Sequence, residues 1–205
     1  DWEMLGAAGW NWDAVAPIFR RQETYADRVD DAVRGGGGPQ NVGLNRHVND
    51  ASRAFVTAAR AAGLGERADY NGGDSEGAFI SQVAHRAGRR WSVYDACLKP
   101  AMQRRNLQVV TRASVTRILF SSRRATGVEI AIGQQRQTIR ARGVVLAAGA
   151  FGSPHLLMKS GMGNGDDIRA AGLPVIHHLP GVGQNLHDHP AAGIHYVGEI
   201  GRAHV

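Results

Sequence analysis

Cysteine is almost absent. Cys97 stands alone in 205 residues, so no internal disulfide can form and stability has to come from apolar packing. A lone thiol is compatible with a reducing compartment, and the expected location is cytoplasmic. Long apolar runs are missing too: nothing approaches the roughly 20 residues that a membrane-crossing helix needs. The first residues, Asp1-Trp2-Glu3, do not begin a secretory signal, although export stays open if the sequence starts inside a longer protein. Lysine is scarce, since Lys99 and Lys159 are the only two among 24 basic side chains. The formal charge of +6 would point to nucleic acid or an anionic surface only if it were clustered. Arg20-Arg21, Arg89-Arg90, Arg104-Arg105 and Arg123-Arg124 are instead spread along the chain with acids between several of them. No nucleic-acid partner is expected. What remains, 43% hydrophobic and 20% charged, is the composition of a globular protein of one or two domains.

The stretch from residue 144 to 163 organises the rest. Val144, Val145, Leu146, Ala147 and Ala148 form a short apolar run that reads as a buried strand. Gly149 and Gly152 bracket a small-residue turn, and Ser153-Pro154 then reads as an N-cap and first helical residue. Leu156, Leu157 and Ser160 give that helix an apolar side, and Gly161 ends it. Strand, turn and helix N-terminus together gather unpaired N–H groups, which attract phosphate. By spacing alone, ordinary packing of a strand and a helix is the better reading.

The order of residues says more. Gly149-Ala150-x-x-Ser153-Pro154-x-Leu156-Leu157-x-x-Ser160-Gly161-Met162-Gly163 resembles the second signature of the glucose-methanol-choline (GMC) oxidoreductases, flavin enzymes that oxidise alcohols. Leu179-Pro180-Gly181-Val182-Gly183-Gln184-Asn185-Leu186-His187-Asp188-His189-Pro190 resembles that family's usual continuation. Gly9-Trp10-Asn11-Trp12 with Val15, Pro17, Phe19 and Glu23 resembles its segment following the stretch that covers the isoalloxazine, so the chain is expected to start in mid-protein.

Local patterns fill in the remainder. Asn11 can cap a helix carrying Trp12, Val15, Ala16 and Phe19 on one side, with a kink at Pro17. Gly35-Gly36-Gly37-Gly38-Pro39 reads as a flexible loop rather than a phosphate cradle, because no strand precedes it and no helix follows. Asp50 is the expected cap of a helix with Phe55, Val56, Ala59 and Ala62 in the core and Gly63 at its end. Residues 69–82 open with an Asn-Gly turn and continue as a strand; Asp69, Asp74 and Glu76 lack calcium-loop spacing and read as a solvated turn. Ser92 caps a helix ending near Arg104, where Cys97 occupies a position at which the family usually has tyrosine. From 107 to 140 the apolar positions alternate: Leu107, Val109 and Thr111, then Val115, Ile118 and Phe120, then Val128 and Ile130, then residues 138–140. That is a meander of short strands. Asp166 to Ala171 reads as a short helix closed by Gly172.

His177, His178, His187 and His189 could suggest a metal, but neither an HxxxH helix nor a cysteine partner accompanies them. No metal site is assigned. Gly181-Val182-Gly183 does not extend to the G-x-G-x-x-G dinucleotide fingerprint, which the family carries nearer its N-terminus.

The resemblance implies an α+β or α/β fold: part of a Rossmann-like FAD-binding domain of the GMC type with its β-meander, plus part of the substrate-binding domain. It implies a family linker and flavin-covering segment over residues 1–34, part of the substrate-side region over 35–105, part of the FAD-binding domain over 106–163, and the start of the substrate-binding domain over 164–198. FAD is the implied cofactor, touched through the backbone of Val115 at the adenine and through Ala148, Gly149 and Ala150. The implied reaction is oxidation of a CH–OH group, of choline or another primary alcohol, by hydride transfer to flavin. The partners are a small-molecule alcohol and an unidentified electron acceptor. The family's catalytic histidine and its partner lie in a C-terminal block, so no catalytic residue is assigned here. Two other readings stay open: a hydroxynitrile lyase on the same fold, and a non-enzymatic stand-alone α+β domain. Residues 199–205 fit neither the family's continuation nor a strand, and they match one reading frame of a sequencing-adapter oligonucleotide; a non-native tail is expected there.

Overall fold

The computed structural model describes residues 2–27 and 33–193, and the chain divides into two units, Asp1–Val109 and Val110–Val205. In the first, the Asn11 side chain accepts the Ala14 N–H at 2.9 Å and starts α1 (Trp12–Gln22), as a short polar side chain can at a helix N-terminus. Val15 is buried, whereas Trp12 and Phe19 are 66% and 51% exposed, so only part of the expected apolar side meets protein. α1 runs directly into β1 (Glu23–Tyr25), which pairs parallel with β2 (Gln40–Leu44). β2 pairs in turn with β3 (Gln82–Val83), antiparallel.

The glycine run between β1 and β2 is not a loose loop. A Cβ on Gly38 would sit 2.1 Å from the carbonyl carbon of Gln22, and one on Gly35 would sit 2.2 Å from the Arg20 carbonyl oxygen. Glycine is needed because backbone lies directly on backbone. The same residues hold β1 in place, with Gly38 N–H donating to the Glu23 carbonyl at 2.9 Å and Tyr25 N–H donating to the Gly35 carbonyl at 2.8 Å. Beside them Arg34, only 6% exposed, pairs with Glu23 at 2.8 Å and with Asp69 at 3.6 Å. Gln82 Nε2 donates to Asp69 at 2.7 Å and to the Tyr25 hydroxyl at 3.2 Å. Asp69, expected in a solvated turn, is therefore an interior partner of Arg34, because a buried guanidinium requires carboxylate compensation.

α2 (Asp50–Ala61) is capped by Asn49 rather than Asp50: the Asn49 side chain accepts the Ser52 N–H at 2.7 Å. Val56 and Ala59 are buried, but Phe55 is 58% exposed and Ala62 is exposed as well. The strand expected over 69–82 is confined to its last residue, where β3 begins. β4 (His85–Arg86) and β5 (Arg89–Arg90) form a hairpin. Ser92 then caps as expected: its Oγ accepts the Asp95 N–H at 3.4 Å, while its hydroxyl donates to Asp95 Oδ2 at 2.6 Å and Asp95 accepts the Ser92 N–H at 3.1 Å. The turn that follows, Tyr94–Leu98, is π-helical and leads into α3 (Lys99–Ala101). Pro100 lacks the N–H that would close an ordinary turn onto Ala96, and the Lys99 N–H bonds the Tyr94 carbonyl instead.

The second unit contains the meander. β6 (Ser114–Ser121), β7 (Arg124–Ile132) and β8 (Gln135–Arg140) form an antiparallel sheet in that order, with Ile118 and Ile130 buried. Residues 107–111, expected as its first strand, are in no strand. After the sheet come α4 (Gly149–Lys159), β9 (Met162–Gly163), α5 (Gly165–Ala170) and β10 (His177–His178), with β9 and β10 paired parallel. Asn164 caps α5 and Gly172 follows it at φ +71°, close to the expected bounds. Among the described residues no helix is long and apolar enough to cross a membrane.

Candidate functional site

Residues 144–148 pair with no strand among the described residues, which corrects the expected buried strand. Strand formation needs a neighbouring backbone to complete the ladder. Here β6, β7 and β8 pair with one another, and Val145 is left 91% exposed. The helix also begins earlier than Ser153. Gly149, at φ +80°, turns the chain immediately after the apolar run, a backbone conformation glycine adopts without strain. Ser153 lies within α4, where its hydroxyl accepts the Ala148 N–H at 3.1 Å instead of capping. Pro154 is inside the helix as well. At the other end the expectation holds, since Gly161 follows α4 at φ +86°.

Between β6 and the start of α4 lies an open cleft of about 750 Å³, lined by Val115, Val128, Leu146, Ala148, Gly152 and His155 among others. Val115 sits on β6 opposite Ile130, and Ala148 stands at the helix N-terminus. The cleft thus brings together two of the residues singled out in the sequence. Gly149 and Ala150 form the first turn of the same helix, and Ala150 lines a neighbouring hollow of about 480 Å³ with Phe151, Met158 and Leu186. Among the described residues no side chain caps α4, so the N–H groups of its first turn remain available there. A Cβ added to Gly149 would meet nothing within 4 Å: the space over this turn is open.

The histidines do not converge. Gly165 N–H donates to His178 Nδ1 at 3.0 Å, and His189 stands fully exposed with its ring 3.9 Å from Asp188. Among the described residues no group of three or more metal-ligating side chains forms. Residues 199–205 lie outside those described. One residue was undervalued by the sequence: Ser160, placed there only on an apolar helix side, is 5% exposed and hydrogen-bonded to β6. A serine four positions after Leu156 on a buried side was the available signal.

Comparison with known proteins gives the family. The GMC oxidoreductase family model matches residues 1–191. The chain belongs to the GMC oxidoreductases. Its GMC relatives include the mitochondrial choline dehydrogenase of Mus musculus, 41% identical over 189 residues, which cover 92% of this chain and 32% of that protein. The oxygen-dependent choline dehydrogenase of Rhizobium etli is also 41% identical, over 92% of this chain and 34% of its own. Among solved structures, pyridoxine 4-oxidase from Mesorbium loti superposes with a TM-score of 0.76 at 32% identity, covering 85% of this chain and 35% of that one. An FAD-dependent oxidoreductase from Chaetomium thermophilum gives 0.81 at 28% identity, covering 88% and 34%. The chain spans about a third of the length of the relatives it matches.

FAD is the cofactor that accompanies GMC membership. What this part of a GMC fold supplies fits a dinucleotide: an uncapped helix N-terminus for phosphate, a positive-φ glycine with open space above it, and an adjoining cleft edged by strand backbone.

Proposed function

We propose that these residues form the nucleotide-holding part of an FAD-dependent oxidoreductase that oxidises the CH–OH group of choline or another primary alcohol. The carrying observation is the cleft shared by Val115 and Ala148 beside the uncapped first turn of α4. In that reading the backbone of Val115 would face the adenine, and Ala148, Gly149 and Ala150 would approach the flavin nucleotide through backbone and free N–H groups. Bound there, FAD supplies the acceptor for the hydride leaving the carbinol carbon. The proton transfer is assigned to no residue of this chain. By the same reading, residues 106–163 belong to the FAD-binding domain and 164–198 open the substrate-binding domain, while 1–34 and 35–105 cover the flavin and the substrate side.

The choline dehydrogenases among the relatives support choline as the first substrate to try. The test is to purify the intact protein with FAD, remove free cofactor, and follow flavin bleaching and dye reduction with choline and simple primary alcohols. Bleaching by choline or a primary alcohol is the expected result. Gly149→Val forces a β-branched residue to φ +80°, at a cost of about 1–3 kcal/mol, and fills the approach to the phosphate. It is expected to release FAD. Unchanged flavin occupancy in that variant, or no bleaching by any alcohol, would count against the proposal.

A further inference from the structure

Two polar side chains are buried among the described residues, Arg34 and Ser160. Arg34 is matched by carboxylates within its own unit. Ser160 links elements far apart in sequence: its Oγ accepts the Ile118 N–H at 2.9 Å, across 42 positions, and donates to the Leu156 carbonyl at 2.6 Å. The second bond uses the hydroxyl proton on the preceding turn, which orients a lone pair toward β6.

Ile118 is where β6 most needs such a partner. The ladder to β7 shifts register between Val115 and Arg117 and again between Leu119 and Phe120. Among the described residues β6 is also an edge strand of the three-stranded sheet, so an N–H on its outer side has no ladder partner there. Ile118 itself is 4% exposed, which denies that N–H a water. Ser160 satisfies it, and in doing so ties the C-terminal end of α4 to the strand that carries Val115.

We propose that Ser160 is a positioning residue for the cofactor: it fixes the angle between α4, which presents Ala148, Gly149 and Ala150, and β6, which presents Val115. This rests on the FAD reading above. The lever is long, because 11 helical residues rise about 16 Å at ~1.5 Å per residue. A pivot of about 5° at Ser160 carries the other end of a helix of that length through roughly 1.4 Å. That displacement takes a backbone N–H of normal hydrogen-bond length out of range of a phosphate oxygen.

The test uses the intact protein and the pair Ser160→Thr and Ser160→Val, which are isosteric and differ by the hydroxyl. FAD affinity is read by titrating the stripped protein, together with the visible circular dichroism of bound flavin and the far-UV spectrum of the cofactor-free form. The expected result is that both variants fold, that Thr holds FAD as the wild type does, and that Val binds it at least tenfold more weakly with an altered flavin dichroism. Equal affinity and dichroism in the two variants would overturn the proposal. So would failure of the Val variant to fold while Thr folds, since the serine would then serve stability alone. If the wild type itself takes up no FAD, the underlying cofactor reading has failed, and the assignment of Ser160 falls with it.

Discussion

Glu129 on β7 holds its charge to lower pH than an ordinary glutamate. The chief cause is the Thr116 hydroxyl, which donates to it at 2.6 Å, with the Arg136 guanidinium at 2.9 Å and Arg117 also favouring the anion. Asp95 is lowered chiefly by the Ser92 hydroxyl, and Glu3 by the Asn11 side chain. Each of these carboxyls binds a proton more readily in the unfolded chain than in the folded one. Their stabilising effect is therefore complete above the ordinary carboxylate range and disappears as pH falls through the depressed values. Thermal melts of the intact protein should hold steady near neutrality and decline once pH drops below the ordinary glutamate value of 4.5. Thr116→Val returns Glu129 toward that value and should make the decline shallower. Identical acid limbs in the two proteins would show that the Thr116 bond contributes nothing in solution.

Helix caps illustrate which elements a sequence can disclose. Asn49 and Asp50 are both suitable side chains, but Asn49 has the extended backbone, φ −72° and ψ 160°, from which a side chain reaches back over the first turn. Asn49→Ala should cost about 1 kcal/mol of stability, and Asp50→Ala no more than a few tenths, as urea unfolding of the two variants would measure. The reverse order would restore Asp50 as the cap. Caps at Asn11 and Ser92 and the terminating Gly63, Gly161 and Gly172 were legible because each depends on a few neighbouring residues. The run at 144–148 was not, because being a strand depends on a partner elsewhere, and a β-branched apolar pentad looks the same with or without one. The glycine run at 35–38 misled for a related reason: glycine marks both a floppy turn and a close backbone crossing, and only the crossing chain distinguishes them. At the candidate site the sequence could point to Val115, Ala148, Gly149 and Ala150 only through family resemblance, since contacts made by backbone leave no side-chain pattern.

At the scale of the whole chain, apolar surface is the dominant fact. Val145, Phe151, Met4 and Leu5 are 91%, 76%, 88% and 85% exposed, and the apolar run at 144–148 has no strand partner among the described residues. Such surface favours association. The 205-residue chain made alone should therefore self-associate. Size-exclusion chromatography checks this, and elution as a monomer would refute it. A further consequence follows from the π-helical turn Tyr94–Leu98. It carries Cys97, exposed and the sole thiol of the sequence, so a maleimide fluorophore would attach at one defined point without any engineering of the chain. The dye would sit in the unit Asp1–Val109, while the cleft lies in the unit Val110–Val205. Heating the labelled 205-residue chain while recording dye emission and far-UV ellipticity in parallel would set the first unit against the whole, and two separated transitions would reveal halves that melt in succession rather than as one.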